Sequence, residues 1–379
     1  MAPRDTSLAE LIAKGEAGLT PDILKHLPRP LADPDREDAG AKAREGNYQI
    51  VPDLVKAIQV ALLLRQPLLI TGEPGVGKTR FAGELALRLE LALETVVVKT
   101  TTSGRDLLYT FDEVRRFRDA AMASVKERQG NAVQAVDVGQ KPLRDYVEFR
   151  ALGTAILRAI GPQASVEPSI SMTEVAGLPH AGQSAITLGE LFPRAFRVGT
   201  EVLEGPVQTV VLIDELDKAP REAPNDLLDE VESMRFTLSE LGLSLKASPN
   251  YWPIVIITSN SERSLPDAFL RRCVFHNLRL DEAELPGIIA KQLPDLPRKS
   301  PLVTSFIKLF MDLRAIPDLD KRPSTAELVA ALAFLVELGF SPDEELDPRG
   351  PKFREVASQI TAALAKKVED RNKILDSLT

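Results

Sequence analysis

The chain has 379 residues, enough for two or three domains, and a formal net charge of −8 that gives it no overall basic field to attract nucleic acid or anionic lipid. Its single cysteine, Cys273, excludes an internal disulfide and argues against a cysteine-based metal site. No apolar run approaches the length of a membrane span, and the N-terminus lacks the apolar core of a signal peptide, so we expect a cytoplasmic protein.

The first 47 residues predict a short amphipathic helix followed by a linker. Apolar residues recur at helical spacing over residues 5–25, whereas residues 27–47 are rich in Pro, Asp, Arg and Gly. A second helical pattern, over residues 52–64, leads into a short apolar strand at residues 67–71. We therefore expect the first domain to begin near residue 48.

The strongest signal in the sequence is the run that follows this strand. Residues 72–79 fit G-x-x-x-x-G-K-[ST] at every fixed position, between a strand pattern and a helical one at residues 80–89, which is the context of a phosphate-binding loop. We expect Lys78 to reach the β- and γ-phosphates and the Thr79 hydroxyl to ligate Mg²⁺. The alternative is a tight strand-to-helix turn that binds nothing. The candidate nucleotide-binding residues here are Gly72, Glu73, Pro74, Gly75, Val76, Gly77, Lys78, Thr79 and Arg80.

A long segment without a core-strand pattern follows the second strand, which is predicted at residues 95–100. It holds helical patches over residues 104–118 and 143–160, joined by connectors rich in Pro, Ser and Gly. Because a structureless loop of this length does not suit a compact domain, we interpret residues 101–207 as ordered insertions that contact a neighbouring subunit or a partner.

Arginine and aromatic side chains alternate at the start of this segment. Such a set could grip a peptide or a nucleic-acid strand. The alternative is an ordinary helix with its aromatic face packed and its charges in water. The residues concerned are Arg105, Tyr109, Phe111, Arg115, Arg116, Phe117 and Arg118.

Two adjacent carboxylates end the next buried strand, predicted at residues 209–213. Since strand ends in a parallel sheet face the ligand crevice, Asp214 is placed to hold Mg²⁺. Glu215 is then the candidate general base that activates an attacking water. The alternative is an ordinary strand end with two solvated acids.

Polar residues also follow the next strand and the next short helix. Asn260 comes after the apolar run 254–258 and could hydrogen-bond the γ-phosphate or the water, or simply form a turn. Arg271 and Arg272 end a short helix predicted at residues 265–272. An arginine at the γ-phosphate stabilises transition-state charge, but two solvated cations at a helix C-terminus are the plain alternative.

Alternating strands and helices predict a parallel α/β sheet covered on both faces. Before the last strand, predicted at residues 273–280, we expect a helix over residues 223–234 and a hairpin over residues 235–246. Beyond Asp281 the pattern is helical and indicates a separate all-α domain. Its predicted helices cover residues 282–293, 302–314, 325–338 and 353–378.

The order of these motifs resembles that of the AAA+ ATPases. The run Asp-Glu-Leu-Asp-Lys-Ala-Pro at residues 214–220 is similar to the Asp-Glu-x-x-(Arg/Lys)-Ala-Pro signature of the MoxR-like clade, and the resemblance covers about residues 48–340. It implies a P-loop NTPase core with a parallel five-stranded sheet over residues 48–280, containing the insertion at 101–207, and a C-terminal α-helical lid over residues 281–379.

The resemblance also implies residue roles and the cofactors ATP and Mg²⁺. Lys78 and Thr79 match Walker A, Asp214 and Glu215 match Walker B, and Asn260 matches sensor 1. Tyr48 and Ile50 lie where the family packs the adenine base. No guanine-reading Asn-Lys-x-Asp stands in a suitable place, which favours ATP.

The resemblance does not decide which residues serve as the arginine finger and as sensor 2. Arg272 matches the arginine finger, which acts in trans on a neighbour's nucleotide, but Arg271 stands where the clade often has Asp, so either can be the finger. The sensor 2 arginine of the clade follows a Ser-Pro pair. Here Arg322 or Lys321 could serve, displaced by a residue or two, or either could be a charge at a helix entry.

The resemblance implies a homo-oligomeric, hexameric ring that hydrolyses ATP between subunits to remodel or activate a partner protein, often one with a von Willebrand A-type domain. Some relatives belong to bacterial conflict systems. One alternative is a nucleic-acid motor or loader, against which the acidic net charge speaks. Another is a nucleotide-gated binding module with little turnover, against which the intact pair Asp214-Glu215 speaks.

Overall fold

The computed structural model describes residues 50–128, 141–170, 172–176, 186–260 and 265–378. The expected N-terminal helix and linker, together with Tyr48, lie outside these ranges. Within them, no helix combines the length and the apolar character that a membrane crossing requires.

The described residues form short strands and mostly short helices. The strands are β1 (Leu68–Thr71), β2 (Ala92–Val97), β3 (Tyr109–Phe111), β4 (Val147–Phe149), β5 (Ser165–Val166), β6 (Ile186–Thr187), β7 (Arg197–Val198), β8 (Glu201–Val202), β9 (Thr209–Asp214), β10 (Arg235–Leu238), β11 (Leu243–Lys246), β12 (Ile254–Thr258) and β13 (Val274–Asn277). The helices are α1 (Pro52–Leu64), α2 (Lys78–Arg88), α3 (Glu113–Arg128), α4 (Ala151–Ile160), α5 (Met172–Ala176), α6 (Leu188–Leu191), α7 (Glu222–Asp226), α8 (Leu228–Ser233), α9 (Asp267–Leu270), α10 (Leu285–Gln292), α11 (Pro301–Arg314), α12 (Thr325–Glu337), α13 (Pro351–Leu364) and α14 (Val368–Leu378).

A five-stranded parallel sheet flanked by helices confirms the predicted fold class. Its spatial order is β13-β1-β12-β9-β2. β9 pairs in parallel with β12, where Ile257 lies opposite Ile213, and with β2, where Val97 lies opposite Asp214. β1, β9 and β12 are buried along their whole length, as parallel strands covered on both faces should be.

The segment between β2 and β9 is less helical than its sequence predicts. Three antiparallel two-stranded ribbons form in its described part, β3 with β4, β5 with β6 and β7 with β8. The helical predictions over residues 104–118 and 143–160 are wrong where Tyr109 pairs with Phe149. Three-residue strands are too short to show alternation, and aromatic packing fixes them instead: the Tyr109 and Phe236 rings lie 5.9 Å apart.

Several predicted boundaries are also corrected. The helix expected over residues 223–234 is divided into α7 and α8, and the one expected over residues 353–378 is divided into α13 and α14. The second sheet strand ends at Val97 rather than near residue 100. The predicted hairpin is confirmed as β10 and β11, with Gly242 at φ +62 in the turn.

The described residues group into two compact units. The first comprises residues 57–69 and 85–275, and its apolar core lies around α4 and β9. The second comprises residues 50–56, 70–84 and 276–378, and contains the loop after β1 and the helices α10 to α14. These helices share a core of their own, built on large buried side chains such as Phe306, Phe310, Leu332 and Phe353.

Candidate functional site

The loop between β1 and α2 has the backbone of an anion-binding loop. Gly72, Gly75 and Gly77 have φ values of +145°, +80° and +103°, a region that other residues rarely adopt. Lys78, the first residue of α2, is buried and folds back on the loop: its Nζ donates to the carbonyl oxygens of Gly72 at 2.7 Å and Glu73 at 3.0 Å. A cation and a helix N-terminus thus meet at one strongly turned segment, which suits a phosphate group.

The rest of the second unit approaches this loop closely. A Cβ on Gly75 would lie 2.4 Å from Ser324 Oγ, and one on Gly72 would lie 2.2 Å from the carbonyl oxygen of Leu278. The Glu73 carboxylate accepts a hydrogen bond from Arg314 Nη2 at 2.5 Å. Gly72 and Gly75 are therefore required for two reasons: their φ values are positive, and a Cβ at either position would collide with a neighbouring atom.

A small cavity of about 80 Å³ adjoins the loop in the same unit. Aliphatic side chains form much of its wall, with polar groups from α2 and α12. Its lining includes Val51, Val76, Arg80, Leu280, Ile288 and Thr325. Ile50, which the resemblance places at the adenine base, is half-buried and is not one of the residues that line this cavity. Its neighbour Val51 is.

One hydroxyl group connects the ends of β9 and β12. Thr258 Oγ1 donates to Asp214 Oδ1 at 2.5 Å and accepts the main-chain N–H of Glu215 at 2.9 Å. Thr258 is fully buried and Asp214 nearly so. The strand register accounts for this contact, because Ile257 lies opposite Ile213 and the next residues along are Thr258 and Asp214. The Asp214 carboxylate thus has a fixed orientation.

Glu215 has a left-handed backbone, with φ 61° and ψ 47°. Such a conformation is costly for a residue other than glycine and often marks a functional position. Lys218 Nζ donates to the Glu215 carboxylate, and this hydrogen bond raises the pKa of Lys218 above its usual value, so Lys218 stays a cation. The side chain and the backbone of Glu215 are therefore both held in place.

Asn260 is attached to the carboxylate run at residues 214–220. Its main-chain N–H donates to Asp217 Oδ1 at 3.1 Å, and its Nδ2 donates to Asp217 Oδ2 at 3.5 Å. Asn260 is thus held beside the run at residues 214–220 through Asp217, within the first unit.

Arg271 and Arg272 both lie exposed just after α9. The side chain of Arg272 makes two hydrogen bonds. Arg272 Nε donates to Glu232 Oε2 at 2.6 Å, and its Nη1 donates to the carbonyl oxygen of Ala268 at 3.1 Å. Arg272 thus lies on the surface of the first unit in an exposed ion pair with Glu232.

Arg322 and Lys321 are exposed, whereas Pro323 and Ser324, which follow them, are buried. The fully buried Asp370 accepts the main-chain N–H groups of Asp320 at 2.9 Å and Lys321 at 3.0 Å. The segment held in this way places Ser324, not Arg322, against Gly75 of the loop.

Sequence reasoning missed several residues of this site. Each of them makes a contact distant in sequence. Two of them carried a local signal, Asp217 as a member of the run at residues 214–220 and Thr258 as the last residue of a predicted strand. The missed residues are Asp217, Glu232, Thr258, Arg314 and Ser324.

Comparison with known proteins agrees with this geometry. A parallel sheet whose first strand leads through a phosphate loop into a helix, followed by C-terminal helices, is the architecture of a P-loop NTPase. Residues 67–135, which include the whole loop, match the family model described as AAA domain (dynein-related subfamily).

Among solved structures, the chain is similar to two of RuvB from Thermotoga maritima. One is 13% identical, with 82% of this chain and 75% of that chain covered and a TM-score of 0.32. The other is 12% identical, with 86% and 84% covered and a TM-score of 0.32. No curated protein matches the chain.

Proposed function

We propose that this protein is an ATPase that binds ATP with Mg²⁺ at residues 72–79 and hydrolyses it. The observation that carries the proposal is the loop itself, where three glycines with positive φ, the buried Lys78 and the N-terminus of α2 converge. The match of residues 67–135 to an AAA domain supports the same function. The aliphatic cavity beside the loop is the proposed contact for the adenine base.

The residues offered for Mg²⁺ have suitable chemistry. Thr79 is exposed in the first turn of α2, and the Asp214 carboxylate is oriented by Thr258. Hydroxyl and carboxylate oxygens are hard ligands, and Mg²⁺ usually keeps one or two protein ligands beside phosphate and water. The bound ion would neutralise charge on the β- and γ-phosphates.

Glu215 is the proposed general base. Its carboxylate takes a proton from the attacking water, and Asn260, held by Asp217, orients the water or the γ-phosphate. The left-handed backbone of Glu215 is consistent with this role, because strained backbone conformations cluster at active sites, although Arg65, Glu90, Met234 and Asp318 also have positive φ.

We further propose a MoxR-like ring, hexameric in the simplest case, in which Arg272 completes the nucleotide site of the next subunit. The exposed position of Arg272 supports this assignment, since its surface ion pair with Glu232 can open at little cost, and Arg271 remains the second candidate. The ring would remodel or activate a partner protein, and a protein with a von Willebrand A-type domain is the candidate partner. The Asp-Glu-Leu-Asp-Lys-Ala-Pro run is the feature that favours this clade.

Two substitutions test the ATPase proposal. Lys78→Ala removes the loop cation, so tight ATP binding should be lost, and a variant that binds ATP as well as the wild type would refute the phosphate-loop assignment. Glu215→Gln keeps the size of the side chain but removes the base, so ATP should bind and remain unhydrolysed.

Light scattering of Glu215→Gln with and without ATP and Mg²⁺ should show ATP-dependent growth to a closed oligomer. A monomer under both conditions would argue against shared sites.

One surface favours nucleic acid as a second candidate partner. On α3, Phe117 is 78% exposed, and its neighbours Arg116 and Arg118 are exposed as well. An exposed aromatic ring between two guanidinium groups suits stacking on a base as well as gripping a peptide. Salt-sensitive binding of single-stranded DNA that is lost in Arg116→Ala would favour this function, and DNA binding unchanged in that variant would remove it.

A further inference from the structure

A cavity of about 760 Å³ lies in the first unit, between the ribbon of β3 and β4 and the turn that follows α6. A cavity of this volume is large enough to hold a ligand. Among the described residues that line it, none belongs to the proposed nucleotide site. Part of its wall is aromatic, where the rings of Phe149 and Phe192 pack edge to face with their centres 4.8 Å apart. The cavity is therefore a second concave site, built by the segment between β2 and β9.

Arg158, on α4, is a buried cation in the wall of this cavity. Its side chain is 5% exposed, and its Nη1 donates to Glu94 Oε1 at 2.8 Å. Its Nε and Nη2 donate to the carbonyl oxygens of Ala195 and Arg197, each at 3.0 Å. These hydrogen bonds connect α4 with β2 and with the segment after α6. The wall is therefore formed before any ligand arrives, as is usual for binding sites.

The carboxylates that line the cavity already have partners within the protein. The pairs are Glu94 with Arg158, Glu148 with Arg150, Asp145 with Arg144, Asp112 with the main-chain N–H of Arg115, and Glu190 with the main-chain N–H and hydroxyl of Thr187. One lining cation, Lys141, is likewise paired, with Asp119 at 3.1 Å.

Several arginines that line the cavity keep unused hydrogen-bond donors, because a guanidinium has five N–H groups. Arg194 is exposed, and Arg115 lies over the Tyr146 ring, 5.8 Å from its centre. Neither makes an ion pair within the part of the chain that the structure describes. Arg144 Nη1 donates to a main-chain carbonyl oxygen at 3.2 Å, but its Nε lies 3.8 Å from Asp145 Oδ1, which is too far for a hydrogen bond. The binding capacity left in the cavity is therefore mainly for an anion.

The mixture of charges favours a peptide over a phosphate backbone. A continuous run of phosphates in the cavity would lie beside the exposed carboxylates of Asp145 and Glu148 and be repelled by them. A peptide carries single acidic side chains for the arginines and amide N–H groups for the carboxylates. It also carries apolar side chains, which suit the wall made by Phe149 and Phe192.

We propose that this cavity binds a segment of a partner protein in which an acidic side chain stands next to an aromatic or large aliphatic one. Arg115 and Arg194 hold the acid, and the apolar side chain packs on the wall of Phe149 and Phe192. The inference rests on the proposed function in one respect only, that the partner is a protein. Binding itself requires neither ATP nor its hydrolysis.

The probe is a library of heptapeptides displayed on phage and selected on the immobilised full-length protein without nucleotide. Sequences with Asp or Glu beside Phe, Tyr, Trp or Leu should be enriched. The most enriched peptide is then labelled with fluorescein, and its affinity is measured by fluorescence anisotropy. Arg115→Met and Arg194→Met should each weaken binding about tenfold, since each removes a charge-assisted contact. Arg235→Met, which removes an exposed arginine of β10 outside the cavity, is the matched control and should change the affinity by less than about twofold.

A change in the peptide gives an independent check. Replacing its acidic residue with the corresponding amide should weaken binding to the wild type about tenfold. This amide peptide should bind the wild type and Arg194→Met within about twofold of each other, because the two changes remove the same contact. Urea unfolding of Arg115→Met checks that a folded protein is being compared, and Arg194→Met changes only an exposed side chain.

The outcomes separate this inference from the proposed function. Enrichment of no peptide, enrichment of basic peptides, or an unchanged affinity of the acidic peptide for both arginine variants would overturn the inference. If the wild type hydrolyses ATP but selects no acidic peptide, the inference alone fails. If it selects the acidic peptide but hydrolyses no ATP, the ATPase proposal alone fails.

Discussion

Thr258 donates its hydroxyl hydrogen to the Asp214 carboxylate, and the same oxygen accepts the main-chain N–H of Glu215. One side chain therefore sets both the rotamer of the proposed Mg²⁺ ligand and the backbone position of the proposed base. The hydroxyl comes from a neighbouring strand, 44 residues further along the chain.

Replacing Thr258 with valine keeps the shape of the side chain and removes this hydroxyl. We expect the free energy of unfolding in urea to fall by about 1–3 kcal/mol, because buried polar groups lose a partner, and ATP hydrolysis to fall with it. Thr95→Val, on an exposed position of β2, is the control and should change stability by less than about 0.5 kcal/mol. Equal effects of the two substitutions would show that the hydroxyl contributes nothing specific.

The left-handed backbone of Glu215 can be tested without reference to its carboxylate. Glu215→Ala and Glu215→Gly both remove the contact with Lys218, so their difference reports the backbone alone. The glycine variant should be the more stable by about 1 kcal/mol, since a Cβ is disfavoured at φ 61°. Thermal unfolding of the two variants gives the sign, and a more stable alanine variant would mean that the backbone relaxes elsewhere.

Gly75 and Gly339 have nearly equal φ values but different surroundings. Alanine substitutions at the two positions therefore distinguish the cost of a steric clash from the cost of a positive φ. Gly75 has φ +80° and a Cβ there would lie 2.4 Å from Ser324 Oγ, whereas Gly339 has φ +79° and open space around it. Alanine at either position should cost about 1 kcal/mol for the left-handed conformation, and only Gly75→Ala should cost more. Urea unfolding measures both costs. Adding Ser324→Gly should recover part of the excess in Gly75→Ala, and no recovery would contradict the contact as the cause.

Mixed oligomers test which arginine acts in trans. Arg272→Ala should keep ATP binding and lose turnover, and mixing it with Lys78→Ala should restore part of the activity, because some interfaces then combine an intact loop with an intact arginine. Arg271→Ala, at the adjacent exposed position, is the comparison and should retain turnover if Arg272 is the finger. If Arg271→Ala loses turnover instead and regains it on mixing with Lys78→Ala, then Arg271 is the arginine that acts in trans. If mixing restores activity to neither variant, hydrolysis does not depend on an arginine from a neighbouring subunit.

The single cysteine offers a chemical probe of the first unit. Burial raises the pKa of Cys273 to about 12. Because alkylation requires the thiolate, iodoacetamide at pH 8 should label the folded protein about a thousandfold more slowly than the urea-unfolded one, where the pKa is about 8.5. By linkage, the thiol favours the folded state below about pH 8.5, and this stability is lost as pH rises toward 12. Rapid labelling of the folded protein would show that the segment before β13 opens readily.

Local signals predicted the sheet and the helices of the second unit well. The apolar runs around β1, β9 and β12 are buried strands, and the helix expected over residues 302–314 is α11, which begins at Pro301. The phosphate loop was identified because all of its determinants lie within eight residues.

The remainder of the site depends on contacts that no local pattern carries. Arg314 and Glu73 are 241 residues apart, and nothing in the sequence near Arg314 indicates that its partner is in the loop. The contact of Thr258 with Asp214 follows from the register of β12 on β9, which no local pattern specifies. Likewise, the helical patterns over residues 104–118 and 143–160 include β3 and β4, because three-residue strands have no measurable period.

The buried carboxylate of Asp370 holds the segment before α12 by its main-chain amides and makes no use of the side chains at Asp320 and Lys321 for this purpose. Such an attachment is indifferent to residue identity. The Asp320 side chain is used separately, because its Oδ2 accepts a hydrogen bond from Lys367 Nζ at 2.8 Å, whereas the exposed side chain of Lys321 can change without loss of the amide that holds Ser324 beside Gly75. The entry to α12 is therefore positioned by the main chain at residues 320 and 321 and by one buried carboxylate on α14.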